Sequence, residues 1–168
     1  MAVLDIVKYP DPRLSQVCKP VEKVDGAIRE LVQNMIDTMY DAPGVGLAAP
    51  QVGHFIRLIV MDSATKEEAS NLRILVNPEL TLLGEVIKSE QEGCLSVPLN
   101  YRANVPRHSI VHLKAKDLDG NDIDEMLLDY EAIIIQHEFD HLNGILFIDH
   151  VSRLRRAMYD NKVKKHLR

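Results

Sequence analysis

Long apolar runs are missing from this chain. No stretch reaches the roughly 18 residues a membrane-spanning helix needs. The longest, Ile56–Met61 and Ala132–Ile135, have the length of a strand or a buried helical turn. The opening residues Met1–Asp5 lack a basic segment followed by an apolar one, which argues against a secretory signal. They are not rich in Arg and Ser either, which argues against an organellar transit peptide. Cysteine is scarce: Cys18 and Cys94 lie 76 positions apart in no paired spacing. That excludes a disulfide scaffold and fits the reducing cytoplasm. Repeats, low-complexity segments and long linkers are absent too, so residues 1–168 read as one domain.

What remains is ordinary globular material. Of 168 residues, 46% are hydrophobic and 27% charged, enough to build a core without covalent help. The net charge of −5 is unevenly spread. From Ser152 to Arg168 stand seven Lys or Arg and one acid, Asp160, so this tail carries +6 and the rest of the chain −11. A basic run is either a solvated helix face or a docking element for an anionic partner.

Periodicity divides the chain into elements. Ile28, Leu31, Val32, Met35, Ile36, Met39 and Tyr40 recur at helical spacing, so Gly26–Ala42 reads as an amphipathic helix with Asp25 as N-cap and Pro43-Gly44 as its stop. The Gly44–Gln51 stretch is too small and Gly-rich for a regular element. Strand-like runs follow at Ile56–Met61, Arg73–Val76, Leu80–Ile87 and Ser109–Lys116, and Asp119-Gly120-Asn121 predicts a hairpin leading to Ile123–Leu127. The period then lengthens. Asp129 reads as the cap of a helix from Tyr130 to about Leu142, stopped by Asn143-Gly144, and Ser152 as the cap of a final basic helix. This order predicts an α+β fold with mostly antiparallel strands.

The second of these helices carries His137-Glu138-Phe139-Asp140-His141 beside Ala132, Ile133, Ile134 and Ile135. Residues four apart lie about 40° apart around a helix and about 6 Å along it. Both imidazoles therefore leave one face, spaced to meet a single metal ion at about 2.0–2.1 Å. Glu138 adjoins the first ligand and is placed to move a proton without being a ligand. A chance H-E-x-x-H in a core helix is disfavoured, because buried unpaired charge is costly.

The third ligand is open on spacing alone. No Glu follows Glu138, and Phe147 stands where a downstream His would complete another protease pattern. Asp149, His150, Asp160 and His166 are candidates, and so is Cys94 within Glu92-Gly93-Cys94-Leu95-Ser96. A thiolate with two imidazoles would leave a fourth position for water, the pattern of a catalytic site. Cys18 reads as a small buried hydrophobe.

Three segments together resemble the peptide deformylase family of bacteria: Gly44-Val45-Gly46-Leu47-Ala48-Ala49-Pro50-Gln51, Glu92-Gly93-Cys94-Leu95-Ser96, and Gln136-His137-Glu138-Phe139-Asp140-His141-Leu142-Asn143-Gly144. Their order, intervals and the total length fit as well. The resemblance implies a hydrolase that removes the formyl group from formyl-Met nascent polypeptides and releases formate. It implies Cys94, His137 and His141 as ligands of one Fe²⁺, with Zn²⁺, Ni²⁺ or Co²⁺ as substitutes, and Glu138 as general base and acid. The Gln51 amide and the Leu95 backbone N–H would stabilise the oxyanion. Val45 and Gly46 would hold the peptide as an added strand, and Val45, Tyr130, Ile133, Ile134 and His137 would form the methionine pocket. The basic tail would dock on ribosomal RNA near the nascent-chain exit; no DNA or membrane partner is expected. Pro50, Glu90 and the Leu99–Arg102 stretch depart from the family's usual wording. Two other readings are a protease of internal peptide bonds, disfavoured by the missing downstream ligand, and a non-catalytic ribosome-bound module, disfavoured because Gln51 and Glu138 are both present.

The two cysteines provide a direct test. Cys94→Ala leaves two imidazoles, so metal content measured by mass spectrometry should fall sharply, whereas Cys18→Ala should keep its metal and activity. Equal loss in both variants would make the cysteines folding residues and remove Cys94 from the site.

Overall fold

The computed structural model describes residues 2–167. Five strands form one antiparallel sheet in the order β1-β2-β3-β4-β5: Gly46–Ala48, Leu58–Asp62, Leu72–Glu92, Ala103–Lys116 and Asp122–Leu128. Helix α1 (Gly26–Asp41) precedes them, and α2 (Asp129–Leu142) and α3 (Arg153–His166) follow. The α+β expectation holds, with α2 as the central metal-motif helix. No described helix is long and apolar enough to cross a membrane.

Helix α1 is built as its periodicity requires. The Asp25 carboxylate accepts from the Ile28 amide at 3.0 Å, and Leu31, Val32, Met35, Ile36 and Met39 are buried. Tyr40 leaves that stripe: it is exposed and donates to Asp62 instead.

Three expectations need correction. The runs at 73–76 and 80–87 are a single strand, β3, interrupted by register shifts against β4 at Val76/Glu79, Leu83/Val86 and Ser89/Glu92. Each shift contains a residue with positive φ: Asn77, Gly84 or Gln91. Asn77-Pro78 looks like a break in the sequence, but the Asn77 side chain is held on both backbone groups of Val21, and the strand resumes beyond the bulge. Next, Gly44–Gln51 is not free of regular structure. Gly46–Ala48 pairs with Ile59–Met61 as β1, and Ala49–Val52 form a turn of 3-10 helix. These residues have no strand pattern of their own; an available sheet edge recruits them. Finally, Asp129 does not cap α2. Leu128 is the N-cap, without a side-chain bond, and Asp129 is the first helical residue, with φ of 50°. Strand β5 passes into α2 with no connecting residue, so a capping turn has no room.

The α2 helix is the fold's axis. Ala132, Ile135 and Leu142 are fully buried against Ile59, Met61, Val111, Leu113 and Leu127. The Gln136 amide bonds both backbone groups of His108 on β4, at 2.9 and 2.8 Å. The far end is pinned by Arg57, which donates to the Leu142 carbonyl and to Asn143 Oδ1. The Cys18 amide also donates to the Leu142 carbonyl, at 2.8 Å. Gly144 then turns the chain at φ of 73°, where a Cβ would come within 2.4 Å of the Ser15 carbonyl. Only glycine fits that turn.

Helix α3 is capped by Ser152, whose hydroxyl accepts from the Arg155 amide. It buries Tyr159 and Val163 in a cluster with Val7, Val97, Phe147 and Ile148. The Tyr159 ring lies 4.4 Å from that of Tyr101, and its hydroxyl donates to the Pro98 carbonyl. One face of the basic helix is therefore structural. Arg168 of the basic tail lies outside the described residues.

Candidate metal centre

His137 and His141 project from one face of α2 with ring centroids 5.2 Å apart. Cys94 reaches them from the connection between β3 and β4, with Sγ 3.3 Å from His141 Nε2. One donor atom from each of the three lies within 4.8 Å of the others, the only such three-residue group among the described residues. Two imidazole nitrogens and a sulfur at this spacing suit a first-row transition ion. The other third-ligand candidates are engaged elsewhere. Asp149 and Asp160 bond to Arg156, His150 to Asp140, and His166 ends α3.

Glu138 is 4% exposed beside this group, with Oε1 at 3.9 Å from His137 Nε2 and Oε2 buried without a partner. Burial is the main influence on this carboxyl; the His137 charge opposes it and the Glu92 charge adds to it, and the pKa rises to about 7. Its approach to β1 requires Gly46, where a Cβ would stand 2.9 Å from Glu138 Cγ. The orphaned acceptor, the glycine cradle and the donor set all fit a metal site with a mobile proton beside it.

Gln51 is fixed from both ends. Its Oε1 accepts from the Ala48 amide at 2.9 Å, which turns Nε2 toward Ser96 Oγ at 3.2 Å and Cys94 Sγ at 3.6 Å. Pro50 occupies an opening position of that 3-10 turn, where a backbone donor has no helical acceptor, so its missing N–H leaves Gln51 undisturbed. A cavity of about 870 Å³ opens over the group. Val45, Gly46, Gln51, Leu95, Tyr130, Ile133, Ile134, His137 and Glu138 all line it. Glu90 lies at the rim with its side chain 73% exposed, paired with Lys88.

The spacing of motifs did not reveal what holds the histidines. The Glu92 carboxylate accepts from His137 Nδ1 at 2.8 Å, which leaves Nε2 as the free nitrogen of that ring. Arg107, 4% exposed, donates to both Glu92 oxygens at 2.7 and 3.1 Å and to Asp140 Oδ2 at 2.8 Å. Burial alone would raise the Glu92 pKa; the His137 and Arg107 bonds outweigh it and hold the group at about 2. His141 is driven the other way, mainly by burial and then by the His137 and Arg107 charges, so its ring is kept neutral. A signal for Arg107 existed: it shares the strand phase of buried Ala103 and Val105, where a cation needs a partner.

A half-buried thiol and two histidines beside a carboxyl of raised pKa, under an open cavity, define an α+β metallohydrolase. The polypeptide deformylase family model matches residues 3–157. The peptide deformylase of Pseudomonas aeruginosa is 49% identical over 168 residues, covering 100% of this chain and 98% of that protein. The crystal structure of peptide deformylase from Ehrlichia chaffeensis in complex with actinonin superposes with a TM-score of 0.92 at 39% identity, covering 100% of this chain and 99% of that one. The Legionella pneumophila peptide deformylase structure gives 0.89 at 41% identity, covering 98% and 95%. The chain belongs to the peptide deformylase family.

The Glu92 carboxylate, which holds both His137 and Arg107, is open to a direct test. Glu92→Gln keeps the shape and loses the charge that orients the imidazole. Outer partners of this kind are worth about 10- to 100-fold in metal affinity, so a chelator competition should show a loss in that range. Unchanged affinity would restrict Glu92 to folding.

Proposed function

We propose that the chain removes the N-formyl group from the initiating methionine of new polypeptides, and that residues 1–168 act as one catalytic unit. The observation that carries this reading is Glu138, buried with one free oxygen between Gly46 and the Cys94/His137/His141 group. Cys94, His137 and His141 would hold one divalent ion. Fe²⁺ is the reading the family resemblance supports; Zn²⁺, Ni²⁺ and Co²⁺ suit the same nitrogen and sulfur donors. Such an ion supplies Lewis acidity and brings the pKa of water toward about 7.

The remaining chemistry belongs to side chains and backbone. Glu138 takes the proton of the attacking water as the new C–O bond forms. The formyl oxygen gains charge, which Gln51 Nε2 and the Leu95 N–H stabilise. Glu138 then gives its proton to the departing amine as the C–N bond breaks, leaving formate and a free methionine N-terminus. A carboxyl near 7 is suited to both transfers. Val45 and Gly46 lie next to the open edge of β1, where an extended peptide adds as a strand. Val45, Tyr130, Ile133 and Ile134 form an apolar wall for the methionine side chain.

We place the reaction in the cytoplasm, at the ribosome. Arg156 is turned inward to Asp149, Asp160 and Tyr9, whereas Arg153, Arg155, Lys162, Lys164 and Lys165 are exposed on α3 and free to meet ribosomal RNA.

Formate release from a formyl-Met peptide tests the activity. Glu138→Gln removes basicity and keeps size. General acid–base catalysis contributes about 10²–10⁴-fold, so turnover should fall at least about a hundredfold with metal content unchanged. A variant keeping more than a tenth of wild-type turnover would remove Glu138 from the mechanism.

Docking is tested by reversing Lys162, Lys164 and Lys165 to Glu, which leaves Tyr159 and Val163 in place. Co-sedimentation with ribosomes should weaken, and wild-type binding should fall steeply with salt, while turnover of free peptide stays the same. Unchanged co-sedimentation would make α3 a solvated face.

A further inference from the structure

One short stretch outside the three motif segments touches both proposed oxyanion donors. The Val7 amide donates to the Gln51 carbonyl and the Tyr9 amide to the Ser96 carbonyl, each at 2.7 Å. Between them, Lys8 Nζ donates to the Leu95 carbonyl at 2.9 Å. Three consecutive residues thus bridge the 3-10 turn that carries Gln51 and the loop that carries Leu95. Both flanks are anchored. Val7 is buried in the cluster with Val97, Leu146 and Phe147, and the Tyr9 hydroxyl donates to Asp160 at 2.6 Å. Of the three bridging bonds only that of Lys8 runs through a side chain, and Lys8 lines the cavity.

We propose that Lys8 is a positioning residue for the Leu95 backbone; this rests on the deformylase reading, in which the Leu95 N–H meets the oxyanion. Leu95 belongs to a loop, not to a ladder of strand bonds. Its neighbours there are a turn bond from the Val97 amide to the Cys94 carbonyl at 3.0 Å and its own side chain on Gly44, where a Cβ would stand 2.9 Å from Leu95 Cδ1. The turn bond holds the Cys94–Leu95 peptide unit, which carries the Leu95 N–H, but neither contact reaches the Leu95 carbonyl on the following unit. The ammonium does, and the anchored Val7 and Tyr9 keep the base of the Lys8 side chain in place. An oxyanion donor works only when it is held in position before charge develops.

Lys8→Met keeps the aliphatic stem and removes the donor. Deleting a whole oxyanion donor costs about 10²–10³ in kcat, and loosening one costs part of that. We expect kcat for a formyl-Met peptide to fall about five- to twentyfold, with KM changed less than about twofold. Metal content and melting temperature should match wild type. Lys8→Arg, which can still donate to the carbonyl, should keep at least half of wild-type kcat. Amide hydrogen exchange at Val97, whose N–H closes the loop's turn on the Cys94 carbonyl, should accelerate about tenfold in Lys8→Met, with core amides unmoved. Unchanged kcat, or an effect confined to KM, would overturn the proposal, as would unchanged exchange at Val97. A wild-type enzyme that releases no formate would instead overturn the functional reading, and exchange at Val97 would still decide whether Lys8 holds that loop.

Discussion

The Arg107 clamp on Glu92 and Asp140 is the interaction on which the site depends. Glu92 stands two residues before Cys94, and Asp140 directly precedes His141. One buried guanidinium on β4 therefore fixes the loop that delivers the sulfur and the helix that delivers the nitrogens, and the separation of Cys94 and His141 follows from it. Burying Arg107 and Glu92, with Asp140 partly buried beside them, costs several kcal/mol per buried ion before their attraction is counted. The cost is met here by near-complete satisfaction: Arg107 reaches both carboxylates, Glu92 also accepts from His137, and Asp140 also meets His150. An apolar triad of equal volume would pack as well, but would not orient an imidazole.

The surrounding fold serves the same geometry at longer range. Arg57 and the Cys18 amide hold the last turn of α2, and Gln136 ties its middle to β4. The helix cannot slide along its axis without breaking one of these attachments. Its apolar face sets depth, and the polar bonds set register.

The sequence displayed the chemistry more openly than the architecture. His137, Glu138 and His141 were legible because helical spacing alone puts two ligands on one face. Cys94 needed the family resemblance, since nothing local says that a loop 43 residues before His137 will fold back onto it. The amphipathic α1, Tyr40 apart, the Asp119–Asn121 turn and the Ser152 cap follow from local rules and stand as read. Two of the misreadings share one cause, tertiary context. A short Gly-rich segment became β1 because β2 offered an edge, and a strand survived Asn77-Pro78 because Val21 held the bulge. Glu92, Arg107 and Asp140 act as a unit only in three dimensions, so their spacing carries no signature. Lys8 was invisible for the same reason, being 87 positions from its partner.

The bulges in β3 bear on solubility. Strand β2 pairs with β3 only from Leu72 to Val76, so the continuation through Leu80, Leu82, Leu83, Val86 and Ile87 is a bare edge among the described residues. Such an edge, rich in branched side chains, is a template for cross-strand association between molecules. Here its line of amides and carbonyls is broken at Gly84 and again at Gln91, and Glu79, Glu85, Lys88 and Glu90 stud it with charge. The long hairpin arm that carries the Cys94 loop at its end therefore presents an edge that is irregular and charged, a poor template for a second molecule to extend.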